Sequence, residues 1–249
     1  MANISLEHLV PVFVAFLFGG ILKGATGVGA PFLAVPIMAI IVDVPFAVAV
    51  FLIPNIISNA WQSWRYRKDN PSTRFATTFA VAGVVGAGVG TMALAKFSSS
   101  FLTTTIALIV LGYVVFRLNN PNWRLAFGTA QSVAGPIGGV GGFFQGAIGL
   151  SGPIAVTFMS AVGLARKPFI YTMSLYFFAM TMIQLPVQIA YGIMTLERLS
   201  YGIVALGPLL LGMTLGDRLG QRLQREVFDR IILVVLTLLA IRLLVEAFT

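Results

Sequence analysis

Residues 125–165 form a run of 41 positions without a single Asp, Glu, Lys or Arg. Further uncharged stretches cover 44–64, 75–95 and 97–116. A hydrocarbon layer about 30 Å thick is crossed by roughly 20 helical residues, so runs of this length read as membrane spans. A closed barrel is the other way to satisfy a backbone in lipid, but its strands alternate apolar and polar residues. The stretch "IALIVLGYVVF" (106–116) does not alternate. The chain is 58% hydrophobic and 10% charged, against about 25% charged in an average soluble domain. The fold expected is an all-α polytopic membrane protein.

The formal charge of +8 does not point to nucleic acid. The basic residues stand at the ends of apolar runs, where topology signals belong. With no cysteine and one histidine, His8, disulfides, thiol chemistry, Fe–S ligation and histidine metal clusters are excluded. No basic segment precedes the first apolar stretch, so no cleaved signal peptide is expected. HExxH, GxSxG, a Walker loop and paired carboxylates within one span are all missing, so neither an enzyme nor an ATP-driven engine is expected.

The chain reads as a tandem repeat. "GGILKGATGVGAP" (19–31) lies on "GGFFQGAIGLSGP" (141–153) at a shift of 122. Pro45-Phe46 meets Pro168-Phe169 at 123, Gly83 and Gly88 meet Gly207 and Gly212 at 124, and Arg117-Leu118 meets Arg242-Leu243 at 125. The halves are 1–122 and 123–249, within one integral membrane domain. Ten apolar elements are expected: 9–22, 31–42, 46–62, 75–95, 100–117, 126–143, 153–165, 169–190, 199–216 and 229–247.

Threading these with the N-terminus outside gathers Arg65, Arg67, Lys68, Arg74, Arg117, Arg124, Arg166, Lys167, Arg218, Arg222, Arg225 and Arg230 on one side. Lys96, Arg198 and Arg242 fall on the other, and Lys23 stands apart. The positive-inside rule then puts the larger set in the cytoplasm. Five elements per half is an odd number, so the halves are expected to be inverted repeats, a plan shared by many secondary transporters.

The first two elements of each half are too short to span and are joined by a Gly-rich tip. Each pair is expected to be a broken or re-entrant hairpin, followed by three spanning helices. Irregular backbone at such depth must be covered by protein or face a water cavity. Inversion would bring the two tips together near the midplane. Pro31 and Pro153 suit the first turn of a helix, so each tip leads into a helix N-terminus, where free N–H groups and the dipole favour an anion. Gly24, Gly27 and Gly29, with Gly146 and Gly149, would bare backbone donors. Thr26 and Ser151 would add hydroxyls, and Lys23 a full positive charge, with Gln145 in its place at the second tip. Close helix packing is the competing account of the glycines, and snorkelling that of Lys23. The series Gly83, Gly86, Gly88 and Gly90 is read as packing.

Asn55, Ser58, Asn59 and Gln62 fall on one helical face, and Ser174, Thr181, Gln184 and Gln188 repeat a similar spacing in the second half. Such faces line a route or glue helices together. Asn55, Asn59, Thr181 and Gln184 join the candidate substrate-binding set. Trp61, Trp64, Tyr66 and Trp123 read as interfacial anchors. No cofactor and no metal ligand set is expected.

The duplicated blocks "GGILKGATGVGAPFLAVP" and "GGFFQGAIGLSGPIA" resemble the TauE/SafE family of sulfite and organosulfonate exporters, over essentially the whole chain. The resemblance implies a multi-pass carrier of the bacterial inner membrane that exports sulfite, sulfoacetate or a related C2 sulfonate. A sulfonate offers three acceptor oxygens to the donors named above. A carboxylate carrier and an anion channel are the alternatives. The coupling ion, proton or sodium, is left open, as is the oligomeric state, a homodimer included.

Overall fold

The computed structural model describes residues 6–120 and 123–219, together with the single helical positions Thr237 and Ile241. The described residues are helical, without strands. They form α1 (Leu6–Thr26), α2 (Ala30–Ile41), α3 (Val44–Arg65), α4 (Thr73–Lys96), α5 (Ser99–Asn119), α6 (Phe127–Ile148), α7 (Gly152–Val162), α8 (Arg166–Ala190) and α9 (Leu196–Leu219), with a 3₁₀ turn at Arg67–Asp69. Five of them, α3, α4, α5, α8 and α9, are long and apolar enough to cross a membrane. The chain is a multi-pass membrane protein. Apart from Thr237 and Ile241, the expected element at 229–247 lies outside the described residues, as do Arg222, Arg225, Arg230 and Arg242.

Local chemistry sets several helix ends. Asp43, Ser72 and Ser98 each accept a hydrogen bond from the backbone N–H three residues on, capping α3, α4 and α5. Gly149 and Gly163 take left-handed backbone and close α6 and α7.

The hairpins depart from expectation in one respect. α1 and α6 do not stop short of the glycines but run through them, for 21 and 22 residues, about 31–33 Å of helix. Only α2 and α7, with 12 and 11 residues, fall well short of the hydrocarbon thickness. Lys23–Thr26 and Gln145–Ile148 are therefore last helical turns, not loops. The glycines lower intrinsic helix propensity, but here packing overrides it. A Cβ on Gly20 or Gly24 would clash with the backbone of α9, and one on Gly142 or Gly146 with that of α4. The missing side chains let helices approach backbone to backbone, which favours α1 and α6 as continuous helices.

These contacts pair each half with the other. α1 of the first half packs on α9 of the second, and α6 of the second packs on α4 of the first. Gly20 meets Leu209 and Gly24 meets Met213, while Gly142 meets Gly83 and Gly146 meets Ala87. Gly212 meets Leu17 and Gly216 meets Ile21, while Gly86 meets Gly139 and Gly90 meets Phe143. The numbers correspond at a shift of 122 along α1 and α6, and of 126 along α4 and α9. This corrects the pairing of Gly83 and Gly88 with Gly207 and Gly212. The position matching Gly212 is Gly86, and Gly207 faces open space. Gly83, Gly86 and Gly90 do serve close packing, whereas Gly88 leaves ordinary room beside Ile183. The opposite face of α4 carries Val81, Val85 and Val89, each more than half exposed, as suits a surface toward lipid tails.

α3 packs on α8, and Ser174 of α8 reaches Gln62 of α3. Arg65, Arg166 and Asp217 meet at one end of the bundle, so three residues widely separated in sequence share one membrane face.

Candidate functional site

Each hairpin turns within three residues, Gly27–Gly29 and Gly149–Ser151. Gly27, Gly29 and Gly149 have φ of 87°, 112° and 71°, a region in which a side chain is strained. Gly27 rests on Ile170 of α8, and Gly149 on Val48 of α3 and Val35 of α2. Ile170 and Val48 are again a pair at 122. The first turns of the two short helices meet, with the Phe32 ring of α2 lying against Gly152 of α7. At N1, Ala30 and Gly152 carry N–H groups that their own helices do not satisfy.

Lys23, one turn before the first tip, is 2% exposed, and its side chain reaches α3 and α8. Its Nζ donates to Asn59 Oδ1 at 2.7 Å and lies 5.9 Å from the centre of the Phe177 ring. Asn59 Nδ2 donates in turn to Asn55 Oδ1 at 2.6 Å and to the Asn55 carbonyl at 2.8 Å. Among the described residues no carboxylate pairs with Lys23, since Asp217 is held by two arginines. A protonated lysine has three donors, and here only neutral groups are placed to receive them.

The second tip is satisfied from within. Gln145 Oε1 accepts from Ser151 N at 3.3 Å and from Ser151 Oγ at 3.2 Å. Both tips are braced by the same contact. Gln62 Nε2 donates to the Lys23 carbonyl at 3.4 Å, and Gln184 Nε2 to the Gln145 carbonyl at 3.2 Å. Ser174 then donates to Gln62 Oε1 at 3.2 Å. On α8, Gln184 Oε1 and both polar atoms of Gln188 are buried without a protein partner. Buried polar atoms normally have partners, so this face has room in its chemistry for water or a ligand.

The sulfite exporter TauE/SafE family model matches residues 12–243, nearly the whole chain. The protein belongs to the TauE/SafE family. No curated protein and no solved structure matches it. The family is one of membrane transporters, not enzymes.

Within this TauE/SafE chain the expected site residues separate into five groups. Lys23, Asn55 and Asn59 form one buried hydrogen-bonded set, and Gln145, Ser151 and Gln184 another. Gly27, Gly29 and Gly149 shape the turns. Gly24 and Gly146 face α9 and α4, and close packing accounts for both. Two hydroxyls are occupied locally. Thr26 Oγ1 reaches the carbonyls of Leu22 at 2.9 Å and Val28 at 2.7 Å, and Thr181 Oγ1 that of Phe178 at 2.6 Å. The Ser151 hydroxyl, expected as a donor to the substrate, is taken by Gln145, as is the Ser151 N–H.

Sequence reasoning missed Phe177 and the pair of Arg166 with Asp217. Phe177 stands where Asn55 does at the shift of 122, so the repeat marked its place but not its chemistry. Arg166 read as a topology signal, and nothing in its local sequence points to the end of α1.

Proposed function

We propose that this TauE/SafE protein is a secondary transporter that exports a small sulfur-containing anion, sulfite or a C2 organosulfonate, across the bacterial inner membrane. The observation that carries the reading is Lys23: a buried lysine with no carboxylate partner among the described residues, one turn before the first tip. Burying an unpaired charge is costly, and an ionisable group inside a membrane domain marks a functional site by default. A tetrahedral or pyramidal oxyanion would take the spare Lys23 donors and the free N–H groups of Ala30 and Gly152. The crosswise contacts, α1 on α9 and α6 on α4, support two inverted repeats, and their hairpins support alternating access from either face.

The test is isothermal titration of the purified protein with sulfite, sulfoacetate, taurine, acetate and pyruvate. Saturable binding of sulfite or sulfoacetate ahead of the carboxylates is expected. Tighter binding of acetate or pyruvate would make it a carboxylate carrier. The inversion is tested by cysteines at Asp69 and Asn120, both expected to be cytoplasmic and shielded from an impermeant thiol reagent in intact cells. Labelling of both from outside would sink it.

A further inference from the structure

α1 ends at Thr26, so the carbonyls of its last turn have no partner further along the helix. Arg166, the first residue of α8, supplies one from the other half of the chain. Its Nη2 donates to the Gly24 carbonyl at 3.1 Å and its Nε to the Ala25 carbonyl at 3.2 Å. A cation at a helix C-terminus also complements the helix dipole. Arg166 is held in turn by Asp217 of α9, with Nη2 to Oδ1 at 3.1 Å. The other carboxylate oxygen reaches Arg65 Nη2, at the end of α3, at 3.5 Å. Asp217 also belongs to the turn of α9 on which Gly24 packs. One carboxylate thus joins the ends of α3 and α9 and the start of α8 to the end of α1.

Among the described residues the second hairpin has no such device. Arg166 opens α8 as Val44 opens α3, a shift of 122 that corrects the 123 read from Pro45 and Pro168, and Asp217 matches Thr91 at a shift of 126. Val44 is buried in an apolar cluster, and the Thr91 hydroxyl folds back to the Ala87 carbonyl at 2.7 Å. Neither can form an ion pair. Otherwise the tips share their bracing amide, the turn glycines Gly27 and Gly149 and their packing glycines, with Ser151 standing where Gly29 does. The ionic clasp is an addition to one of them.

We propose that Arg166 is a positioning residue, latched by Asp217, that holds the last turn of α1 and with it Lys23 in the closed arrangement of the first hairpin. Releasing Asp217 frees the guanidinium, and the turn at Gly27–Gly29 loosens on this side alone. The two hairpins therefore open by different means, the first by breaking an ion pair and the second by parting apolar surfaces. This rests on reading the first tip as the anion site, but its test needs no substrate and so fails or stands independently of that reading.

The wild-type chain has no cysteine, so single reporters are clean. Val28 and Leu150 are matching buried residues just inside the two tips, 6% and 0% exposed. Val28→Cys and Leu150→Cys are each labelled with N-ethylmaleimide in detergent, with and without Asp217→Asn, Arg166→Gln or Arg166→Lys. The expected result is a rise of about three- to tenfold at position 28 for Asp217→Asn and Arg166→Gln, with position 150 unmoved. Arg166→Lys keeps the charge pair but not the double carbonyl contact, and should fall between. An equal rise at both reporters would mean general loosening and would overturn the latch. So would no rise at position 28 in any folded variant. If one variant fails to fold, the other two decide the matter.

Discussion

Four residues before the turn glycine, the first tip has Lys23 and the second has Gln145. In both, the carbonyl of that residue receives the turn glycine's N–H, at 2.7 Å from Gly27 and 3.0 Å from Gly149. The same carbonyl is braced by a glutamine from the neighbouring long helix. The side chains then part company. Gln145 folds onto Ser151 of its own turn, whereas Lys23 reaches across to Asn59 of α3. An amide can satisfy itself locally. An ammonium with a single neutral acceptor has donors left over. The scaffold is therefore common to the tips, and the capacity for charge lies in one of them.

The strongest test breaks the shared scaffold. Gly24→Leu and Gly146→Leu each drive a side chain into a neighbouring helix backbone that has nowhere to go. Losses of about 3 kcal/mol or more are expected in both, because overpacking against backbone cannot be relieved by a rotamer change. Thermal unfolding in detergent measures this. A stable, monodisperse Gly24→Leu protein would show that α1 and α9 are not in close contact.

Next in size come the turn glycines. Gly27→Val and Gly149→Val place a β-branched residue at positive φ, at a cost of about 1–2 kcal/mol. At Gly27 a clash with Ile170 is added. Transport should fall below about a tenth of wild type in both, with insertion retained and Gly27→Val the worse. Equal and undiminished transport would return both turns to simple connectors.

How much of this was visible in the sequence depends on which interactions decided it. The membrane class and the turn glycines were legible, because hydrophobic runs and glycine spacing are local signals. Lys23 stood out as a charge where none belongs. The extent of α1 and α6 was not legible. Glycine argues against helix in isolation, and only contact with a helix some 190 residues away in α1's case, Gly24 with Met213, reverses the argument. For the same reason Gly24 and Gly146 looked like ligand-facing positions, although packing accounts for them. The clasp of Arg166 on Gly24 and Ala25 spans the two halves, and no local pattern encodes it.

The charge difference between the tips predicts an effect confined to the first. A charge-assisted hydrogen bond is worth about 1.5–3 kcal/mol, or roughly ten- to a hundredfold in affinity. Lys23→Gln, which copies the second tip, should weaken sulfite or sulfoacetate binding by about that factor in calorimetric titration. Lys23→Arg should be milder, though not neutral, because a planar fork must fit where a point charge sat. Added salt should not mimic the loss, since a buried site is poorly screened. Unchanged affinity in folded Lys23→Gln protein would leave the backbone donors alone as the anion site.

The smallest effect probes the two bracing glutamines, which look equivalent and are not. Gln62 is used at both ends, donating to the Lys23 carbonyl and accepting from Ser174. Gln62→Leu keeps the volume but strands the buried Ser174 hydroxyl and removes two hydrogen bonds. A loss of about 1–2 kcal/mol is expected. Gln184 donates to the Gln145 carbonyl, but its Oε1 has no protein partner. Gln184→Leu therefore removes one hydrogen bond and also a buried, unsatisfied acceptor, and the two terms nearly cancel. Its melting temperature should stay within a degree or two of wild type, about the reach of a few tenths of a kcal/mol in a chain of this size. If Gln184 Oε1 instead faces the anion's route through water, the loss will appear in transport rate and not in stability. Equal destabilisation by the two substitutions would mean that the oxygen of Gln184 has a partner in the folded protein, and that the tips are more alike than their hydrogen bonds indicate.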